Sequence, residues 1–240
     1  MTLLRRGRFT ARLAETSDDL KRAQSLRHRA FFGCEGRDAD AYDERCQHVL
    51  VEDEGALVCC FRVLGLKGGS EIGTSYSAQF YDLSALEGFE RPVIEMGRFC
   101  VASEVRDPDV LRVAWGAMTR LVDEGEYGLL IGCSSFKGTD PAPYADTFGL
   151  LAGRHVAPKR WRPGRSARQV VSLGKALLPG RVGAATRAMP PLLRTYLRMG
   201  GWVSDHAVID RAMGTLHVFT GVEVDRVPRH RARALRAIAG

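Results

Sequence analysis

The 240-residue chain has no apolar run approaching the roughly 18 residues that a membrane-spanning helix needs. Its opening stretch, Met1-Thr-Leu-Leu-Arg-Arg-Gly-Arg8, is charged and lacks the apolar core of a secretory signal. None of the six cysteines (Cys34, Cys46, Cys59, Cys60, Cys100, Cys133) belongs to a Cys-x-x-Cys pair. Their irregular spacing within apolar segments fits reduced, buried thiols and argues against a disulfide framework. Cys34 with Cys46-Gln-His48 offers three ligands of a zinc site but no fourth, so no metal is expected. There is no internal repeat, no zinc-finger or helix-turn-helix spacing, and little aromatic content in the most basic segment, which argues against nucleic acid. The expected location is the cytoplasm, with a possible peripheral site on the inner face of the cytoplasmic membrane.

What is present points to a globular protein. The chain is 45% hydrophobic and 26% charged, enough apolar material for a buried core and too much for disorder. The net charge of +7 is unevenly spread. Residues 1–149 hold 18 basic and 24 acidic side chains, a net of −6, whereas residues 150–240 hold 17 and 4, a net of +13. Such asymmetry suggests an anionic partner: nucleic acid, a membrane surface or an acidic protein.

Residues 8–15 alternate as a strand, and Thr16-Ser-Asp-Asp19 resembles a capping box that opens a helix through about Phe32. After an acidic loop, His48–Glu52 and Ala56–Leu66 read as a hairpin around Asp53-Glu-Gly55. Val93–Val101 is a strand, Asp107-Pro-Asp109 caps a long amphipathic helix to about Glu126, and Gly128–Phe136 is another strand. A helix from about Pro141 to Leu151, an Arg-, Gly- and Pro-rich stretch and an amphipathic helix over Met189–Met199 follow. Trp202–Ile209 and Thr215–Val224 form a closing hairpin, and the tail from Pro228 is an Arg-rich helix candidate. The pattern predicts an α/β (α+β) fold, a central mixed β-sheet flanked by helices, with a basic insertion at about 154–200. One domain over 1–225 and a tail over 226–240 are expected.

The segment richest in chemistry is Ile94-Glu95-Met-Gly97-Arg98-Phe-Cys-Val101, which places two opposite charges inside a strand. A regular strand would point Glu95 and Arg98 to opposite faces. A bulge at Gly97 would bring them to the same one. Residues placed to join them are Arg27 and Phe31, one helical turn apart, Arg29, the loop residues Asp38, Asp40 and Asp43, and Arg62 within the apolar run Val58–Leu66. A structural ion pair, an edge-strand Arg62 and solvated turn aspartates are the plain alternatives.

These segments resemble the acyl-carrier-protein-dependent branch of the GNAT N-acyltransferases, and most closely the bacterial L-ornithine N(alpha)-acyltransferases of ornithine-lipid synthesis. The resemblance is carried by Gly7-Arg-Phe-Thr-Ala-Arg-Leu-Ala, Leu26-Arg-His-Arg-Ala-Phe31, Asp40-Ala-Tyr-Asp43 and Glu95-Met-Gly-Arg-Phe-Cys-Val. Gly132-Cys-Ser-Ser-Phe and Pro190-Pro-Leu-Leu, more specific still, extend it through nearly the whole chain. The charged set Arg27, Asp40, Asp43, Arg62, Glu95 and Arg98 is also distantly similar to that of acyl-homoserine-lactone synthases.

The resemblance implies a GNAT-like sheet and transfer of a (3-hydroxy)fatty acyl group from acyl carrier protein to the α-amine of L-ornithine. Glu95 and Arg98 would be catalytic, and Arg27, Arg29, Phe31, Asp40, Asp43 and Arg62 would bind substrate. Gly97, Phe99, Cys100 and Val101 with Cys133, Ser134, Ser135 and Phe136 would line the acyl and pantetheine channel. No permanently bound cofactor is expected; the phosphopantetheine of the carrier protein is the donor arm. The junction Ser103-Glu-Val-Arg-Asp-Pro-Asp109 lacks the glycine-rich loop that holds the pyrophosphate of coenzyme A, and its acids would repel one. A single pantetheine phosphate on an acidic carrier protein fits better. Competing readings are a signal synthase, an N-acyltransferase for another amino acid such as glutamine, and a non-enzymatic basic module binding nucleic acid or an anionic membrane.

Overall fold

A computed structural model of the chain describes residues 1–174 and 181–240; Lys175 to Gly180, inside the expected basic insertion, lie outside the described residues. In chain order the elements begin β1 (Thr2–Arg6), β2 (Phe9–Leu13), α1 (Ser17–Phe32), β3 (Gln47–Asp53), β4 (Ala56–Leu66), β5 (Tyr81–Asp82) and β6 (Val93–Val101). They continue with α2 (Asp109–Glu124), β7 (Leu129–Lys137), α3 (Ala145–Arg154), β8 (Gly164–Arg165), β9 (Val170–Ser172), α4 (Val182–Ala188) and α5 (Pro191–Arg198). β10 (Trp202–Val203), β11 (His206–Asp210), β12 (Thr215–Glu223) and α6 (Arg229–Ala239) complete the chain. The alternation of strands and helices is the expected mixed sheet covered by helices. The chain gathers into two compact units, one of residues 1–65, 94–127 and 229–240, the other of 66–93 and 128–228.

In the first unit the strands run β1-β2-β3-β4-β6. Thr16 caps α1 by accepting from the Asp19 N–H at 3.1 Å, and Gly33 ends it at φ +72°, donating to the Arg29 carbonyl at 2.9 Å. Left-handed backbone of this kind favours glycine. The β3–β4 turn likewise places Glu54 and Gly55 at positive φ, in the segment where the sequence predicts a hairpin. His48 to Glu52 are buried without interruption, so β3 is covered on both faces. Leu50 packs with Ala23 and Leu26 of α1, and alternation sends Val49 and Val51 to the face where α2 crosses β1, β2 and β3.

β1 is not expected from the sequence, because Leu3-Leu4 flanked by Thr2 and arginines shows no alternation. A register shift between Thr2 and Leu4 buries both adjacent leucines and explains the missing pattern. The Arg-rich tail is helical, as α6, and packs on α2. Arg236 makes a paired hydrogen bond to Asp123 at 2.9 and 3.0 Å, while Leu235 and Ile238 are half-buried. Its apolar side is thus spent on α2, and its exposed side is cationic.

In the second unit β7, β12, β11 and β9 form an antiparallel sheet, with β10 also on β12. One face buries Phe136, Ala207, Leu216 and Val218 against Phe148, Leu151 and Leu193 of α3 and α5. The strand expected over Trp202–Ile209 is broken between β10 and β11. There the Ser204 hydroxyl donates to the His206 carbonyl and accepts from the Phe219 N–H, at 2.6 and 3.1 Å, so backbone bonds pass through a side chain. No helix of the described residues is long and apolar enough to cross a membrane.

Gly116 marks where α6 docks: a Cβ there would stand 2.6 Å from Leu4 Cδ2 and 2.8 Å from Ile238 Cγ2. Gly116→Val is expected to cost about 1–3 kcal/mol through overpacking. Urea denaturation should show the loss, and amide exchange should show α6 protected less than in the parent.

Candidate active site

Arg27 lies on the inward face of α1, three residues after Gln24, and its guanidinium is 1% exposed. A charge so buried needs partners on every side. The loop after Gly33 supplies them, held to the helix by the Asp38 N–H donating to the Gln24 carbonyl at 3.1 Å. The turn Asp40-Ala-Tyr-Asp43 is fixed by its own first residue. Asp40 Oδ1 accepts from the Tyr42 N–H at 2.9 Å, and the Asp40 carbonyl accepts from the Asp43 N–H at 3.1 Å. From the sheet come Arg62 on β4, directly opposite His48 on β3, and Arg98 on β6.

The six charges close a ring. Arg27 Nε donates to Asp38 Oδ2 at 2.9 Å, and its two Nη groups donate to the Asp43 carboxylate at 2.8 and 2.9 Å. Arg62 Nη1 donates to Asp43 Oδ1 at 2.6 Å and to Asp40 Oδ1 at 2.6 Å, and its Nη2 to Asp40 Oδ2 at 2.8 Å. Arg98 Nη2 donates to Asp40 Oδ2 at 3.1 Å, and its Nε returns to Asp38 Oδ2 at 2.9 Å. Gln24 adds a bond to Asp43 Oδ2 at 3.0 Å, and Arg27 also donates to the Asp38 carbonyl.

Charge and burial are matched. Burial opposes ionisation of Asp43, yet the bonds from Arg27, Gln24 and Arg62 outweigh it and hold this carboxyl well below the ordinary range. Burial likewise opposes the charge on Asp40, and Arg62 and Arg98 overcome it. His48 is pushed down by burial and stays neutral; its Nε2 donates to the Asp43 carbonyl at 2.9 Å, which fixes the tautomer. Cys46 is itself pushed up to about 11, chiefly by burial, and Cys34 is exposed.

Glu95 lies on β6, three residues before Arg98, and is 4% exposed. Its charge is felt at Tyr42, whose hydroxyl is held protonated first by burial and then by Glu95, and at Cys46. The Tyr42 ring faces the Arg45 and Arg62 guanidiniums at 5.2 and 5.7 Å. The irregularity expected at Gly97 falls on its neighbour: Arg98 carries φ +54°, while Gly97 is not in the left-handed region. Neither backbone nor space demands a glycine at 97, since a Cβ there would meet only Arg62 Nε, at an ordinary contact distance of 3.8 Å.

Not every residue grouped from the sequence is here. Arg29 stands at the surface, 3.6 Å from Glu35, with half its side chain exposed. Phe31 packs on the apolar cluster under α1. Cys100 belongs to that cluster too, its Sγ 3.6 Å from Cys60 Sγ, whereas Gly97, Phe99 and Val101 are half-buried and Phe99 stacks on Phe61. In the second unit the four expected channel residues divide between faces of β7. Ser134 bonds to Thr220 at 3.0 Å and Phe136 enters the apolar core, while Cys133 is half-buried and Ser135 exposed. Gln24 and His48 were given no part in the site by sequence reasoning, and Asp38, grouped there with the other loop aspartates, was assigned no role of its own. Gln24 carries a usable signal, its helical spacing from Arg27; His48 depends on strand register.

The N-terminus of α2 is occupied by its own chain. Asp107 Oδ1 accepts from the Asp109 N–H at 2.9 Å, and its carboxylate also pairs with Arg8 at 3.3 Å. A carboxylate at this helix end competes with any phosphate for the same N–H groups.

The mixed sheet flanked by helices, with its Arg–Asp ring drawn from α1, the loop that follows, β4 and β6, is the frame of an acyltransferase of GNAT type. A family profile described as Acetyltransferase (GNAT) domain matches residues 23–116. The L-ornithine N(alpha)-acyltransferase of Rhodobacter capsulatus is 30% identical over 97% of this chain and 96% of its own length. The enzyme of that name from Brucella abortus is 31% identical over 92% and 86%. The chain belongs to the L-ornithine N(alpha)-acyltransferase family. Among solved structures, an N-acyl amino acid synthase from uncultured soil microbes shares the fold, with a TM-score of 0.50, 8% identity and coverage of 91% of this chain and 93% of its own.

Asp43→Asn leaves Arg27 and Arg62 short of charge in a buried place and is expected to cost about 3–5 kcal/mol in denaturant unfolding. The acid response gives a second check. Asp40 and Asp43 have folded pKa values below their unfolded ones, so their contribution is full above about pH 4 and drains away as pH falls below it. Stability of the Asn variant should therefore fall less steeply than the parent's below about pH 4.

Proposed function

We propose that the chain moves a fatty acyl group, with 3-hydroxy acyl as the expected class, from acyl carrier protein to the α-amine of L-ornithine, giving lyso-ornithine lipid. The observation that carries this reading is the buried Glu95 on the strand that also contributes Arg98 to the charged ring.

Glu95 takes the proton from the substrate ammonium, directly or through one water. The freed amine attacks the thioester carbonyl carbon, the C–S bond breaks, and the pantetheine thiolate leaves and is protonated in turn. A backbone N–H of β6 around Gly97–Phe99 polarises the thioester oxygen.

The ring suggests how ornithine is held. Three arginines and three aspartates cancel, so a ligand with net charge would leave an unbalanced ion beside a buried network. Ornithine whose α-amine has lost its proton carries one carboxylate and one side-chain ammonium, and is neutral. Arg98 is the most exposed ring arginine and Asp40 the most exposed ring aspartate, at 12% and 25% of the side chain. They are assigned to the carboxylate and to the ammonium, with Arg27, Asp38, Asp43 and Arg62 holding both in place. Arg29 and Phe31 have no direct role in this arrangement.

The acid-capped end of α2 supports carrier protein as donor over coenzyme A, whose pyrophosphate would meet Asp107. The deciding assay offers 3-hydroxyacyl-carrier protein, with ornithine, glutamine and S-adenosylmethionine as acceptors, and follows products by mass spectrometry. Ornithine is expected to be acylated, and a product from another acceptor in its place would overturn the substrate assignment. Glu95→Gln should keep its melting temperature and lose about 10²–10⁴ in kcat; normal turnover would remove Glu95 from the base role. Equal rates with acyl-coenzyme A would overturn the donor assignment.

A further inference from the structure

The second unit holds a buried polar group that the transfer chemistry does not use. His217 on β12 and His206 on β11 are 3% and 0% exposed, and Nε2 of each is buried without a hydrogen-bond partner. Both rings lie against Tyr81, at centroid distances of 5.6 and 5.3 Å.

The proton on His217 can be placed from its neighbours. Tyr81 Oη has a single proton and donates it to the His217 carbonyl at 2.8 Å. The 3.0 Å contact between Tyr81 Oη and His217 Nδ1 is then a bond in which Nδ1–H donates to the phenol oxygen. Burial pushes the His217 pKa down to about 4, so the ring is neutral and has one N–H. Nε2 is therefore a bare lone pair, an acceptor that needs a donor.

Its surroundings say which kind. Register pairs His217 with Ser135 and Phe219 with Cys133, so all four share a face of the sheet. Phe80 meets the His217 ring edge-on at 4.9 Å, and Phe219 lies 5.6 Å from Tyr81. Ser135 is exposed and Cys133 half-buried, so the face is aromatic around His217 and more exposed along β7. An aromatic wall that carries a neutral acceptor suits an apolar chain that bears a neutral donor. A cation or anion would be penalised there.

The geometry points to a hydroxyl-recognition site in which His217 Nε2 accepts the O–H of a hydroxyl on the donor's acyl chain. This rests on the acyl-transfer reading and adds the residue that selects the chain. Tyr81 is the positioning residue, since its contacts fix the tautomer of His217.

The test compares kcat/KM for 3-hydroxyacyl- and unsubstituted acyl-carrier protein of equal chain length, in the parent, in His217→Leu and in His217→Gln. The parent is expected to prefer the hydroxylated donor by about tenfold or more. His217→Leu removes the acceptor and should lower that ratio at least tenfold, chiefly through KM for the hydroxylated donor. His217→Gln retains an acceptor oxygen and should keep part of the preference, which guards against a folding defect in the Leu variant. A parent without preference, or an unchanged ratio in His217→Leu, overturns the site. Turnover of the unsubstituted donor by the parent reports the acyl-transfer reading separately, and its absence with every donor overturns both.

Discussion

A closed ring of three arginines and three aspartates is the constraint on which the first unit depends. Each member bridges two of the opposite sign, so none can be removed without leaving two buried charges short of a partner. The ring draws on α1, the loop that follows, β4 and β6, so one electrostatic closure fixes a helix, a loop and two strands together. The loop is the least regular of these, with neither helix nor strand between Gly33 and Asp43 and only the turn at Asp40 to order it locally. Its path is set by where Asp38, Asp40 and Asp43 must be. This is why a loop can hold charged groups as firmly as a strand does.

The same closure explains the strained position at Arg98. A non-glycine residue with φ near +54° costs free energy, and persists where its surroundings over-determine it. Here the side chain gains Asp38 and Asp40 by turning to the face it could not reach in a regular strand. The sequence signal was the pair of charges at the wrong spacing, Glu95 and Arg98, and that signal was readable. Its cause was not, because glycine is the residue expected to bend a strand, and Gly97 next door was the natural candidate. Gly97 itself is not in the left-handed region, and a Cβ there would make only an ordinary contact with Arg62.

Elements with clean periodicity were legible, including α1 with its Thr16 cap, the β3–β4 hairpin and the span of β6. Elements whose residues depart from alternation were not. β1 hides in two adjacent leucines that a register shift turns inward together. The Trp202–Ile209 strand is split by Ser204, whose bonding to backbone groups depends on a strand fifteen residues away. Within the site, Arg27, Asp40, Asp43, Arg62 and Arg98 were singled out as charges in places where charge is unusual. Asp38 sat in an acidic loop among similar residues, where spacing cannot rank one carboxylate above another. Arg29 was grouped with the site because it is near in sequence, but helical geometry turns position 29 away from position 27.

Charge changes meaning when the path of the chain is followed. Along the sequence the first 149 residues are net −6 and the rest +13, yet the first unit holds 19 basic and 18 acidic residues and the second 16 and 10. The difference arises because α6 carries its four arginines back to the acidic first unit, where Arg236 meets Asp123, and because the net-acidic residues 66–93 and 128–149 belong to the second. That pair is half-exposed and worth at most about 1 kcal/mol. Contact of the apolar side with α2 therefore docks the helix, and charge only orients it. Excess positive charge stays with the second unit, whose net +6 includes the Arg-rich stretch at 154–200. Long-range attraction of an acidic protein should arise there and weaken with salt, since exposed charges act through a field that ions screen. The two basic stretches of the sequence thus have separate physical roles, one neutralising and covering the unit that holds the ring, the other available to steer a partner.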